Sequence, residues 1–352
     1  MLLKISCRQP GQFAKYIADD TIIPTAVVLL NYQEWQYTSI GDNPSFEGLI
    51  DYVNKYEIPL TIINGADDSS PLLHDETNER YRNVQPIICW TTYFITSWFE
   101  GFTRDLGTAR YEEDLVCAEF NQEFDYLYVS LNNKPHPHRC LLIDLLAKCD
   151  LLKEGAVTWN SWYNDEGRLL DQFIRYTFRY WQPEILLLDE IESGRRGWET
   201  QLPDEYKHSF VQLISESSPD VIFITEKIVP SLFFNKLFLV SGAVHYHKKL
   251  QDLGFVLYDD VFDYSFDSEP DPEVRYTMLI NNLLKLQGHT KDQLSVLYQL
   301  SLPKIQHNKK NLIRIAKDIS FFPDYLVDLC ENNPKVIEDT DAYFLYNLRK
   351  AN

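Results

Sequence analysis

The chain has 352 residues, of which 45% are hydrophobic, 14% aromatic and 24% charged, and its formal net charge is −19. The composition is typical of a soluble globular protein and argues against disorder, and the length suits two domains that each bury a core. Duplex-binding proteins need a basic surface, so nucleic acid is an unlikely partner unless a local basic cleft exists.

The cysteines and the amino-terminal segment indicate the cellular compartment of the protein. Six cysteines are scattered without a C-x-x-C pair, which indicates free thiols in a reducing compartment. The start, MLLKISCRQPGQF, lacks the long apolar region of a signal peptide. No apolar run approaches the roughly 20 residues that span a membrane. We therefore expect a cytoplasmic protein without a membrane span.

Residues 1–120 are predicted to form a first α/β domain. Residues 26–30 and 59–63 have the apolar composition of inner strands, and residues 43–56 have helical spacing, with Asn43 as a cap and Pro44 at the first position. The second strand is followed by a loop that contains Asp67 and Asp68. The aromatic stretch 87–99 predicts core or interdomain packing.

Residues 121–290 are predicted to form a second α/β domain, and residues 291–352 a helical tail that packs back on the domains. The alternation of strands and helices indicates mainly parallel sheets, with a cleft between two such domains. The predicted strands are 126–131, 155–159, 185–188, 221–224, 237–240 and 255–258, and residues 209–215 are predicted to be a strand or a short buried segment. The predicted helices are one that Arg139 opens and those at 169–180, 228–235, 245–253 and 273–286.

Two cations lie where a predicted strand gives way to a helix. Lys227 follows the strand 221–224, and Arg139 opens the helix after the strand 126–131. A helix dipole disfavours a cation at its amino end unless an anion binds between them, and ligands of open α/β sheets bind at this edge. We expect Lys227 to face a phosphate and Glu226 a hydroxyl-bearing group such as a ribose. The alternative is a structural ion pair at a strand end.

Sequence motifs around these cations resemble a known family. The run from Phe210 to Ser218 followed by F-I-T-E-K at 223–227 is similar to a conserved block of α-1,3-fucosyltransferases, glycosyltransferase family ten. Residues 126–133 with Arg139, and the strand 237–242, resemble two further blocks. Uncharacterised glycosyltransferase-like proteins, many of them viral, share a closer version that also includes L-G-F at 253–255. The resemblance covers about residues 120–290.

The resemblance implies a GT-B fold, with two Rossmann-like domains across a central cleft, and a nucleotide-sugar donor such as GDP-fucose. It implies that Glu226 binds the ribose, that Lys227 and Arg139 bind the diphosphate, and that Glu216 and Asn132 belong to the donor site. Ser217 stands where the fucosyltransferases have Asn. The resemblance therefore does not identify which sugar is transferred.

An inverting transfer also needs a carboxylate base for the acceptor hydroxyl. Asp67 or Asp68 in the first domain is the predicted base, and Glu100 is a rival. For each of these residues the alternative is that it is an acid in a solvated loop without a catalytic role. Asp189, Glu190 and Glu192 are candidate metal ligands, and so are the H-x-H pairs at 136–138 and 245–247. We expect no metal at any of these places.

The sequence thus predicts a metal-independent glycosyltransferase without a resident cofactor, which transfers a sugar from a nucleoside diphosphate, GDP favoured, to a glycan, protein or small-molecule acceptor. The alternative is a catalytically inactive relative that keeps the fold as a binding or structural module. A transferase acting on modified DNA bases is opposed by the net charge of −19.

Overall fold

The structure is a computed structural model that describes residues 2–6, 23, 26–31, 44–64, 79–84, 88–89, 124–132, 135–159, 176–182, 186, 203–317 and 336–337. The chain divides into two compact units, Met1–Ser97 with Ile315–Asn352 and Trp98–Arg314. The predicted boundary at residue 120 falls outside the described residues and stays a prediction, as does the packing of the tail on the first domain.

Both units are α/β structures with parallel sheets, as the alternation of elements predicts. The strands are β1 Leu2–Ser6, β2 Ala26–Asn31, β3 Leu60–Asn64, β4 Ile88–Cys89, β5 Tyr126–Asn132, β6 Gly155–Trp159, β7 Ser209–Ser215, β8 Leu237–Ser241 and β9 Val336–Ile337. The α-helices are α1 Pro44–Lys55, α2 Pro137–Lys148, α3 Asp204–Lys207, α4 Val229–Phe233, α5 Tyr246–Asp252, α6 Pro272–Leu286 and α7 Lys291–Lys317.

The first unit contains a five-stranded sheet in the order β4-β3-β2-β1-β9, and all its described pairs are parallel. Its core joins Val27, Leu60 and Ile62 of the sheet with Leu49 and Val53 of α1, each at most 2% exposed. The sequence reasoning missed β1, and it assigned the chain after residue 291 to helix throughout. That assignment holds for α7 but not for β9, whose two residues pair with β1.

The second unit contains a four-stranded parallel sheet in the order β6-β5-β7-β8. From β5 the chain passes through α2 to β6 on one side, and β7 and β8 then add on the other side. The strand order therefore reverses between β5 and β7, and the crevice at their carboxyl ends is the switch point where open α/β sheets bind ligands.

Three segments differ from their predicted structure, and in each case side chains from elsewhere bond to backbone groups in the segment or directly after it. Residues 221–224 are not a sheet strand; they form a bend and an extended stretch with an isolated bridge at Phe223. The N–H of Thr225, at the end of this stretch, donates to the Glu216 carboxylate (3.1 Å). The buried run 209–215 instead occupies the place beside β5.

The predicted strand 255–258 pairs with a side chain rather than with a neighbouring strand. The Val256 N–H donates to Oδ1 of Asn308 (2.7 Å), and Nδ2 of Asn308 donates back to the Val256 carbonyl (2.8 Å). One amide on α7 thus replaces the two hydrogen bonds of a neighbouring strand.

The predicted helix 169–180 is described only from residue 176, and there it is not helical. The backbone N–H groups of Arg179, Tyr180 and Trp181 donate to the buried Asp144 carboxylate at 2.8–2.9 Å. They are therefore unavailable for helical hydrogen bonds. Of the predicted strand 185–188, only Leu186 is described, in an antiparallel bridge to Trp159.

None of the described helices combines the length and the apolar character that a bilayer crossing requires.

Candidate functional site

The first wall of the switch-point crevice is the amino-terminal turn of α2. Pro137 occupies a position in this turn where its missing N–H costs nothing. His138 and Arg139 follow and are buried, at 8% and 5% exposure. Nε2 of His138 donates to the backbone carbonyl of Glu216 (2.7 Å), and Nη2 of Arg139 donates to the same oxygen (3.4 Å). The end of β5 and the end of β7 are thereby joined.

His138 is neutral at this junction. Burial, and after it the charge of Arg139, lower the pKa of His138 to about 3, although the bond to Glu216 acts in the opposite direction. Because a carbonyl oxygen only accepts, Nε2 carries the proton. The positive charge at this turn is therefore that of Arg139.

Glu216 follows β7 and is the centre of the site, at 0% exposure. Its carboxylate accepts from the Thr225 hydroxyl (2.7 Å), the Tyr246 hydroxyl (2.8 Å), the Ser217 N–H (3.0 Å) and the Thr225 N–H (3.1 Å). Gly242 permits this packing, since a Cβ there would lie 3.1 Å from the Tyr246 ring. A buried carboxylate with four hydrogen bonds holds the loop after β7 in place.

Lys227 lies on the second wall of the crevice and is the second cation of the site. Thr225 caps the short 3₁₀ turn Glu226–Ile228, and its hydroxyl accepts from the Lys227 N–H. Nζ of Lys227 donates to Ser217 Oγ (2.9 Å), Thr225 Oγ1 (3.1 Å) and Glu226 Oε1 (3.1 Å). It also lies 3.9 Å from a Glu216 carboxylate oxygen. The Lys227 and Glu226 side chains remain 21% and 18% exposed, so both reach the surface of the crevice.

The structure brings together several residues that sequence reasoning placed in one site. Arg139 and Lys227 both lie against Glu216, Glu226 pairs with Lys227, and Asn132 ends β5 beside them. The roles of these residues toward a donor remain predictions. The residues that lie outside the described ranges are Asp67, Asp68, Glu100, Asp189, Glu190 and Glu192.

Sequence reasoning missed the parts played by Thr225, Tyr246 and His138. A threonine directly before the Glu-Lys pair is a recognisable helix cap, so Thr225 had a local signal. Tyr246 and His138 had none, because each acts through a contact with Glu216 that only folding creates.

Histidines of both H-x-H pairs contact protein groups in the structure. His136 and His138 stack with ring centres 5.7 Å apart, and His138 bonds to Glu216. Nδ1 of His247 is 2.8 Å from Asp267, and its Nε2 accepts from the Val240 N–H (3.3 Å). Across the described ranges, no three His, Cys, Asp or Glu side chains gather as ligands for a metal ion.

A cluster of aromatic side chains closes the β6 end of the sheet. Trp159 ends β6, is 1% exposed, and packs edge-on against Phe178 and Trp181 at centroid distances of 6.0 and 5.5 Å. Asp144 holds this loop through the backbone bonds described above and through the Tyr176 hydroxyl (2.9 Å). The crevice therefore has an apolar flank at β6 and a cationic centre at β5 and β7.

Comparison with known proteins identifies no relative: no protein-family model, no curated protein sequence and no solved structure matches the chain.

Proposed function

We propose that this protein is a glycosyltransferase that takes a sugar from a nucleoside diphosphate, with GDP favoured, and transfers it with inversion to an acceptor hydroxyl. The observation that carries the proposal is the meeting of Arg139 and Lys227 at Glu216. Arg139 comes from the first turn of the helix after β5 and Lys227 from the 3₁₀ turn that follows residues 221–224, and both lie against Glu216 at the switch point of a parallel sheet.

The chemistry of the transfer requires cations at this place. The sugar passes through an oxocarbenium-like state while the nucleoside diphosphate leaves and gains negative charge. Fixed cations aimed at the leaving group stabilise that state. Arg139 suits this task through its planar, bidentate guanidinium, and Lys227 acts as a point charge.

The carboxylates divide into two kinds by burial. Glu216 is fully buried and bonded to the protein, so in this proposal it positions Lys227 and Thr225. Glu226 is partly exposed and pairs with Lys227. A diphosphate that binds Lys227 competes with Glu226 for the ammonium and frees that carboxylate for the ribose hydroxyls. The acceptor base is assigned to Asp67 or Asp68, with Glu100 as the rival.

Calorimetric titration with GDP, UDP, ADP and CMP tests the proposal. We expect one nucleotide to bind in the micromolar range, and Lys227→Ala to weaken it by about 2 kcal/mol, roughly thirtyfold, as a charge-assisted bond does. The matched control is Lys153→Ala, which removes an exposed lysine paired with Asp150 and should leave the affinity unchanged.

The opposite result favours an inactive relative that serves as a binding or structural module. This second candidate rests on the hydrogen bonds of the Lys227 ammonium, which already donates to three protein oxygens. If no nucleotide binds wild type and Lys227→Ala only lowers the unfolding midpoint, the glycosyltransferase proposal fails.

A further inference from the structure

The four strands of the second sheet end in one row of residues. Asn132 pairs with Trp159, and Ser215 pairs with Ser241. Between β5 and β7, Tyr128 pairs with Val211 and Val129 with Gln212, and the same offset places Asn132 beside Ser215. Paired residues of parallel strands project to the same face, and neighbouring strands lie about 4.8 Å apart. The side chains of Asn132 and Ser215 are therefore neighbours at the switch point.

Both of these side chains carry a buried oxygen that makes no hydrogen bond within the described structure, Oδ1 of Asn132 and Oγ of Ser215. The residues are 1% and 3% exposed. The rest of Asn132 is bonded, since its N–H donates to Thr158 Oγ1 (2.8 Å) and its Nδ2 to Ser130 Oγ (3.0 Å). The next hydroxyl in the row, Ser241 Oγ, donates to the Ile214 carbonyl (3.3 Å). Two adjacent positions of one row thus stay unsatisfied.

Folded proteins rarely leave such oxygens without a partner, and each exception points to an ordered water, a bound group or a functional role. Oδ1 of Asn132 only accepts, whereas the Ser215 hydroxyl both donates and accepts. A phosphate or carboxylate oxygen cannot donate to Asn132. An ammonium group is disfavoured because Arg139 lies on the carbonyl of Glu216, the residue after Ser215. A hydroxyl group satisfies both oxygens.

We propose that Asn132 Oδ1 and Ser215 Oγ form a hydroxyl-binding subsite that takes an alcohol group of a sugar ring attached to the diphosphate. The inference rests on the proposed function, because it places this group next to the cations Arg139 and Lys227. The ring is either the ribose or the transferred sugar. In both cases the hydroxyl of the ligand donates a hydrogen bond to Oδ1 of Asn132, and the Ser215 hydroxyl donates one to the oxygen of the ligand.

Ser215→Ala tests the subsite with little risk to the fold, because it removes a hydroxyl that makes no hydrogen bond to any described residue. The matched control is Ser241→Ala, which removes a hydroxyl of the same row that is already bonded. Calorimetry would use the nucleoside diphosphate that binds wild type, its 2′-deoxy and 3′-deoxy analogues, and the corresponding sugar nucleotides. We expect Ser215→Ala to weaken binding about tenfold and Ser241→Ala to leave it unchanged.

The ligand set distinguishes the two sources of the hydroxyl. If the ribose occupies the subsite, the loss appears with the free diphosphate and disappears with one deoxy analogue. If the transferred sugar occupies it, the loss appears only with a sugar nucleotide.

The subsite is overturned, with the donor site intact, if a diphosphate binds and Ser215→Ala has wild-type affinity for every ligand. That result, together with a lower unfolding midpoint, would assign the two oxygens to an ordered water. If no nucleotide binds wild type, the proposed function fails and the subsite fails with it.

Discussion

Nε2 of His138 donates to the backbone carbonyl of Glu216 across 2.7 Å, and this bond ties the first turn of α2 to the end of β7. It joins the helical turn that carries Arg139 to Glu216, the residue whose carboxylate lies against Lys227. The imidazole donates this bond in both protonation states, and it is the burial of the ring, which disfavours the charged form, that makes the stability of the site depend on pH.

Acidification should destabilise the protein through His138. Its pKa in the folded protein is lowered to about 3, chiefly by burial, whereas an unfolded histidine binds a proton near pH 6.5. The unfolded chain therefore binds more protons between these values, and the free energy of unfolding falls as the pH is lowered from about 6.5. Urea denaturation at about pH 7.5 and about pH 5 should show a His138 contribution of about 1–2 kcal/mol.

His138→Gln should reduce that pH dependence, since glutamine keeps an N–H donor and does not titrate. His289→Gln is the matched control, because His289 is exposed. An equal pH dependence in wild type and His138→Gln would contradict the prediction.

Glu216→Gln should destabilise the protein by about 2–4 kcal/mol, because an amide nitrogen would face donors that now bond to a buried carboxylate. Those donors are Thr225, Tyr246 and the Ser217 N–H. Glu226→Gln is the control: this carboxylate is partly exposed and pairs with Lys227, so its loss should cost under about 1 kcal/mol. Equal losses in urea denaturation would show that Glu216 does not organise the site.

Asn308→Ala should expose the backbone of residues 255–258 to exchange. Asn308 is 0% exposed and bonds to both backbone groups of Val256 and to the Tyr258 hydroxyl (3.1 Å). We expect a loss of about 2–3 kcal/mol and faster hydrogen exchange at the Val256 amide. Lys310→Ala, an exposed change on the same helix, should change neither. Unaltered exchange at Val256 would show that the amide pairing is dispensable.

Lys236 should make the protein more stable as the pH rises above neutral. Burial lowers the pKa of Lys236 to about 7, and its ammonium bonds to the Ser209 carbonyl. Between about pH 7 and 10 the unfolded chain keeps a proton that the folded chain releases, so the free energy of unfolding rises with pH.

Lys236→Met should remove this rise, and the exposed Lys207→Met should retain it. The measurement is the urea midpoint at about pH 7 and about pH 9.5. A rise that persists in Lys236→Met would place its origin in another group.

Local signals were sufficient for much of the second unit. Helix α2 begins with Pro137 in its first turn, α5 is followed by Gly254 at φ 87°, and α6 begins after the cap Asp271. Each of these features depends on residues within one turn of the helix end, so the sequence contains them. The placement of Arg139 in the first turn of the helix after β5 follows from the same local patterns, whereas Lys227 lies in a 3₁₀ turn after residues 221–224, which are not the predicted strand.

Long-range contacts decided the rest. Residues 221–224 have the composition of a strand, but the Glu216 carboxylate captures the N–H of Thr225. Residues 255–258 have that composition too, and they pair with Asn308 on α7. Propensity cannot foresee such outcomes, because the competing hydrogen-bond partner is distant in the chain.

The sequence by itself therefore determined the α/β class and the position of Arg139 at the start of the helix after β5. Only the tertiary structure decided that Glu216 points inward, that His138 and Arg139 share its carbonyl, and that Asn132 and Ser215 end neighbouring strands. The physical reason is that local periodicity and capping are set by neighbours in the chain. Burial and hydrogen-bond satisfaction are instead set by residues that meet only after the strands have paired.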